Sequence, residues 1–182
     1  YIPNDIRNIR GINAVVSVIA TEDNTTVKLS GYNKDVIFSD SSTDDEKVIV
    51  LKKGESYIFE TLVADTNANL EGLIGSTITS DKPISVTNGN FLSVAENKGN
   101  YDVLMDQSVP IERIGTEYVI LKGNGTANGL NEGYTEKTLV IATEDDTQVF
   151  VNESNIPISL NKGQYHFIRG GFYNPSNNIF NL

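Results

Sequence analysis

Short runs of β-branched and aromatic residues alternate along the chain with clusters of Asp, Asn, Ser, Thr and Gly. Runs of this kind, bounded by turn formers, read as strands. The pattern predicts strands over residues 13–21, 26–30, 34–38, 47–51, 56–62, 76–79, 84–87 and 118–121. Within 56–62, Tyr57, Phe59 and Thr61 share one face and Ile58, Glu60 and Leu62 the other, the period of a partly covered strand. Turns fall at 22–25, at Lys53-Gly54-Glu55, at Ser80-Asp81-Lys82-Pro83 and at Asn88-Gly89. The first two of these join neighbouring strands as hairpins in this reading. Residues 39–46, 65–72, 97–102 and 123–133 are polar or glycine-rich and read as loops, while 103–108 fit a short strand or a helical turn. No segment sustains apolar residues at helical spacing. The expected class is all-β, an antiparallel β-sandwich.

Two stretches occur twice. Ile19-Ala20-Thr21-Glu22-Asp23-Asn24-Thr25-Thr26-Val27 returns 122 residues on as Ile141-Ala142-Thr143-Glu144-Asp145-Asp146-Thr147-Gln148-Val149. Leu51-Lys52-Lys53-Gly54-Glu55 returns 109 residues on as Leu160-Asn161-Lys162-Gly163-Gln164. Two matches in the same order point to a sandwich built from a duplicated hairpin unit. The offsets differ by 13 residues, which the loop 39–46 absorbs, since added length in a polar loop costs little free energy. The duplication predicts a first β repeat over 1–114 and a partial second over 115–182, packed together. Gly54 and Gly163 are expected at positive φ in equivalent turns. At the offset of 109, the counterpart of the hairpin around Pro83 begins near position 185. The sandwich is therefore expected to be incomplete at its C-terminal end. Its missing strands would come from outside this segment or from a neighbouring subunit, in a longer protein.

Composition narrows the picture. A chain of 182 residues can bury a sizeable core, and the absence of Cys excludes a disulfide framework or a thiolate zinc site. The net charge of −10 argues against nucleic acid and anionic membrane surfaces as partners. No apolar run approaches the roughly 18 residues of a membrane span, so no membrane insertion by this segment is expected.

Candidate chemistry is sparse. Asp40, Asp44, Asp45 and Glu46 supply carboxylates for a weak calcium site, though an EF-hand's spacing and central Gly are missing; a solvated loop is the competing reading. No other cofactor is expected, and no metal requirement for folding. Glu22-Asp23 and Glu144-Asp145 have the residue types of paired acid–base carboxylates. Neighbours in a strand diverge, however, so turn chemistry is the better reading, with Asp23 or Asp145 accepting N–H bonds in its own turn. His166 is the sole His and stands mid-strand beside aromatics, where a nucleophile–His pair would need a Ser from another segment. Catalytic residues are expected to be none. Tyr134 and Tyr173, beside Gly or Asn, are candidates for stacking on a sugar, with Tyr32, Tyr101 and Tyr165 behind them. Asn24, Asn124 and Asn152 head glycosylation triplets that matter only in a eukaryote.

Five blocks run in order along the chain: Ala20-Thr21-Glu22-Asp23-Asn24, Leu51-Lys52-Lys53-Gly54-Glu55, Ser80-Asp81-Lys82-Pro83-Ile84, Asp102-Val103-Leu104-Met105-Asp106-Gln107 and Gly115-Thr116-Glu117-Tyr118-Val119. In these the chain resembles the IgGFc-binding protein N-terminal domain family. The resemblance implies a part of a large secreted or surface-anchored protein when bacterial, and supplies no catalytic residues. It implies a non-enzymatic, extracellular module of a bacterial cell surface, acting in adhesion or in a surface fibre. A carbohydrate- or glycoprotein-binding module and a structural filament subunit are the alternatives. The expected partners are neighbouring domains of the same protein and host or environmental glycans and glycoproteins.

Overall fold

The computed structural model describes residues 13–62, 67–94, 101–121, 137–169, 176 and 179–182. Within them the β-branched runs are extended, and the chain divides into two compact units, Tyr1–Ser108 and Val109–Leu182. The first unit carries β1 (Ala14–Ala20), β2 (Thr25–Ser30), β3 (Glu46–Leu51), β4 (Ser56–Glu60), β5 (Thr77–Ser80), β6 (Ile84–Val94) and β7 (Tyr101–Gln107). They form two antiparallel sheets, ordered β4-β1-β6-β7 and β3-β2-β5. Alternate residues of each sheet point inward, and the two inner faces share one core. Val16, Val18 and Ala20 of β1 and Phe59 of β4 meet Val27 and Leu29 of β2 and Leu51 of β3, with Tyr32, Val36 and Phe38 closing one end. Val27 and Leu29 are fully buried, each worth about 2 kcal/mol of transfer free energy. The all-β sandwich expected from the pattern is the fold of this unit.

The turns differ from the sequence reading. β1 pairs with β4 and β6, whereas β2 pairs with β3 and β5. The segment 21–24 is therefore no hairpin turn. It is an arch that carries the chain from one sheet to the other. Residues 52–55 do the same between β3 and β4, and 81–83 between β5 and β6. Three arches stack side by side at one end of the sandwich. A period of two describes equally two strands paired in one sheet and two strands facing each other across a core, so alternation could not separate the cases.

Other departures are local. Residues 34–38 form no strand; Phe38 makes a single bridge to Thr61. Asn88-Gly89 is no turn, because β6 runs through it, paired on one side with β1 and on the other with β7. The segment 103–108 resolves as a strand, β7. The polar stretch read as a loop contains a one-turn helix, α1 (Asn67–Glu71). That turn presents Asn69, which is 1% exposed. Its amide donates to Leu62 O (2.7 Å) and Ile37 O (3.2 Å) and accepts from Ile37 N (2.9 Å). Asn69 thus satisfies backbone that lacks a strand partner. Gly72 closes the turn where a Cβ would lie 2.1 Å from Ala68 O and 2.4 Å from a Val36 methyl, so no side chain fits.

The second unit carries β8 (Val119–Leu121), β9 (Lys137–Ile141), β10 (Thr147–Val149), β11 (Ile158–Leu160), β12 (Tyr165–Arg169) and β13 (Ile179–Asn181). They pair antiparallel as β12-β9, β10-β11 and β13-β8. Val151 and Ile168 form the buried centre, with Ile120, Val140, Ile158 and Leu182 packed on it. The registers repeat those of the first unit at the sequence offsets. Val18 faces Tyr57 and Val140 faces His166; Thr25 faces Leu51 and Thr147 faces Leu160.

Candidate functional site

The duplicated residues are the corners of the arches, and one set of hydrogen bonds recurs in both copies. Ala20 N donates to Glu55 O at 3.0 Å and Ala142 N to Gln164 O at 2.9 Å; Gly54 N to Ala20 O and Gly163 N to Ala142 O are both 2.8 Å. Thr25 Oγ1 reaches Glu22 O, and Thr147 Oγ1 reaches Glu144 O, at 2.8 Å each. Lys53 N donates to Asp23 Oδ1, and Lys162 N to Asp145 Oδ1, at 3.0 Å each. Gly54 and Gly163 have φ of 78° and 79°, and Asn24 and Asp146 have φ of 54° and 55°. Glycine, Asn and Asp tolerate that left-handed backbone, which is why these positions recur.

The repeated acidic pair is therefore structural. Asp23 and Asp145 do accept backbone N–H bonds as expected, but from the neighbouring arch rather than from their own turn. Glu22 and Glu144 are both exposed at the corners. Asp23→Ala and Asp145→Ala should each lower stability by about 1 kcal/mol, the net worth of one such bond. Urea unfolding of the two variants checks this; a loss at only one would show that the corners are not equivalent.

The acidic loop is organised around a lysine. Lys47 Nζ lies 3.0 Å from Asp40 Oδ2 and 3.5 Å from Asp44 Oδ2, donates to Ser42 Oγ, and sits 5.0 Å above the Phe38 ring. Asp40 also accepts from Ser42 N at 2.9 Å and from Ser42 Oγ at 2.5 Å. Tyr32 is buried, and its hydroxyl donates to Asp44 O, also at 2.5 Å. Glu46 turns away to Lys28 at 2.6 Å. The four calcium candidates are thus not brought to one point, and among the described residues no three such groups converge. An ammonium group occupies the centre of the cluster.

The hydrogen bonds from the Ser42 hydroxyl and N–H, then from Lys47, hold the Asp40 carboxyl down to about 2. Burial alone would lower the Lys47 pKa, but bonds and charges from Asp40 and Asp44 outweigh it and raise it. A carboxyl whose folded pKa is depressed stabilises the fold above its unfolded value, and that contribution is lost as pH falls through the folded one. Asp40→Asn should therefore cost stability at neutral pH and little below about pH 2. The effect is small because the carboxylate is half exposed. Thermal melts across pH 2–7 measure it.

The remaining candidates do not assemble. His166 is exposed on β12 opposite Val140. Tyr165 packs edge-on to Phe167, with centroids 5.7 Å apart. Tyr134 and Tyr173 lie outside the described residues, as does Asn124. Asn24 is exposed at its corner, and Asn152 bonds to Asn181. Tyr118 has a role the sequence did not suggest: its hydroxyl accepts from Gly115 N at 2.9 Å and donates to Gly115 O at 2.8 Å, tying the loop before β8.

The family model described as IgGFc binding protein matches residues 1–180. The chain belongs to this family. No curated protein and no solved structure matches it. Of the five ordered sequence blocks, the first three are the arch corners, the fourth is edge strand β7, and the fifth is the Tyr118 loop. In this chain of the IgGFc binding protein family, the first three blocks and the fifth mark places where particular residues hold the backbone. Among the described residues no helix is long and apolar enough to cross a membrane.

Proposed function

We propose that this chain is a non-enzymatic, extracellular β-sandwich module of a bacterial cell-surface protein, acting in adhesion or as part of a surface fibre. The family match over residues 1–180 is the observation that carries this reading. The architecture supports it. Stacked arches tie each corner to its neighbour through backbone hydrogen bonds, which makes a stiff carrier for exposed loops. The carboxylates of Asp23, Asp81, Asp145, Asp40, Asp44 and Glu46 are bound to backbone N–H groups, a hydroxyl or lysines, which suits a scaffold better than proton transfer. The net charge of −10 disfavours nucleic acid and favours a hydrated, non-aggregating surface.

A glycoprotein-binding module is the second reading, favoured by the family's own description. The partner class is then a protein carrying glycans, with neighbouring domains of the same polypeptide as structural partners. The experiment is to immobilise the chain and measure retention of a glycan array, mucin, and antibody Fc before and after enzymatic deglycosylation. Adhesion predicts saturable retention of at least one glycan or glycoprotein, and loss on deglycosylation selects the second reading. No retention of any of them, with short filaments in electron micrographs of the purified chain, would leave the fibre role alone. No retention and no filaments would sink the proposal.

A further inference from the structure

The second unit opens on a stretch that belongs to none of its ladders. Every residue from Val109 to Glu117 is exposed. Just before it Ser108 N donates to Val86 O, and just after it Tyr118 N donates to Leu182 O, both at 2.9 Å. Between these anchors the backbone bonds among the described residues are local. Arg113 N donates to Pro110 O at 2.9 Å and Ile114 N to Ile111 O at 3.2 Å, closing a single 3-10 turn over Ile111–Arg113. Gly115 bonds only to the Tyr118 hydroxyl. Pro110 and Ile114, on either side of the turn, are already extended, with φ and ψ of −59° and 143° and of −76° and 150°. The turn buries no residue, so straightening it breaks two hydrogen bonds and uncovers no core.

Arg113 stands at the end of that turn, and the other described basic residues are placed differently. Lys28, Lys47, Lys137 and Arg169 lie within strand ladders. Lys52, Lys53 and Lys162 sit in arch corners, where their backbone N–H groups are held by Glu55, Asp23 and Asp145. Lys82 precedes Pro83, whose ring replaces the N–H of the next peptide bond. Lys34 lies in a turn pinned by Asn33, whose N–H donates to Gly72 O at 2.9 Å and whose carbonyl accepts from Val36 N at 3.0 Å. A protease binds several residues around the scissile bond as one extended strand. Exposed segments outside a ladder reach that shape at least cost.

We propose that the Arg113–Ile114 bond is a processing site for a serine protease whose specificity pocket carries a carboxylate. The pocket takes the Arg113 guanidinium. The protease's serine captures the Arg113 carbonyl as an acyl group, the Ile114 nitrogen leaves as a new terminal amine, and water then releases Arg113 as a carboxylate. Every described ladder lies wholly on one side of the cut, so β1–β7 stay whole on one product and β8–β13 on the other. Processing of this kind does not depend on the adhesive role.

The test is to digest the folded chain with a low concentration of trypsin and follow each new N-terminus by mass spectrometry, using initial rates while most of the chain is intact. Free peptides with the sequences of residues 107–120 and 48–60 supply the rates for the unfolded state. The bond after Arg113 should be cut within about tenfold of its rate in the peptide, since only two hydrogen bonds must open. The bond after Lys53 should be cut at least about a thousandfold more slowly than in its peptide, because the arch corner must open first. Arg113→Gln should leave the melting temperature of the chain unchanged. Cutting after Arg113 that is as slow, relative to its peptide, as cutting after Lys53 would overturn the proposal. Fast cutting at both would overturn it too, because the whole chain would then be opening. A fall of more than about 4 °C in the melting temperature of Arg113→Gln would do the same, by showing that the arginine holds the fold.

Discussion

Phe59→Ala is expected to cost the first unit about 3–5 kcal/mol, the range for emptying a filled aromatic site in a core. Phe59 is 1% exposed, faces Val16 across the sheet, and packs edge-on to Tyr57 with centroids 4.9 Å apart. Its core neighbours are mostly short aliphatic residues, so little can move in to fill the hole. Its counterpart at the offset of 109 is Ile168, which is 2% exposed and central to the smaller core of the second unit. Ile168→Ala should cost about 2–5 kcal/mol, felt in the second unit. Urea unfolding followed by NMR, with amides read separately in each unit, measures both. If either variant lost less than about 1 kcal/mol, the residue would not be at the centre of its core.

Asn69→Leu has the next largest expected effect, about 3 kcal/mol or more. The substitution keeps the volume and removes the amide. It leaves Ile37 N and Leu62 O without the amide, while Ile37 O keeps the Leu62 N–H at 2.8 Å, and each orphaned group costs about 1–3 kcal/mol. Backbone polar groups outside a ladder must find a partner somewhere. Residues 34–38 make only the Phe38–Thr61 bridge, so the amide of Asn69 takes the place of a neighbouring strand. A variant as stable as the parent in urea would show that these groups have other partners. The Ile37 amide proton should also exchange far faster in the variant.

Why some features were legible follows from what each one needs. The duplication was visible because an arch corner constrains residue type at single positions: Gly at φ near 78°, Asn or Asp at φ near 55°, and a Thr whose hydroxyl caps the turn. Such demands leave a recurring string. The sheet crossing was not visible, because Ala20 and Thr25 are both inward-facing whether their strands pair or oppose. The bond from Lys53 N to Asp23 spans 30 residues and looks, in sequence, like a local Asx turn. Asn88-Gly89 carried a turn signal that pairing on both flanks overrode. Asn69 left no signal, since one Asn in a polar stretch is ordinary until the backbone around it is known. The acidic loop did carry one, in Lys47 directly after Glu46: a cation of the chain's own, placed to neutralise it.

One sheet-crossing unit occurs twice in this chain, with the same corners and the same registers. Cross-strand proton contacts in the NMR spectrum of the whole chain test this most directly. Ladder contacts should place Val18 opposite Tyr57 and Val140 opposite His166, and Thr25 opposite Leu51 and Thr147 opposite Leu160, with none linking β1 to β2 or β9 to β10. A continuous ladder between β9 and β10, running through the turn at Asp145, would make that turn a hairpin and contradict the duplication of the arch.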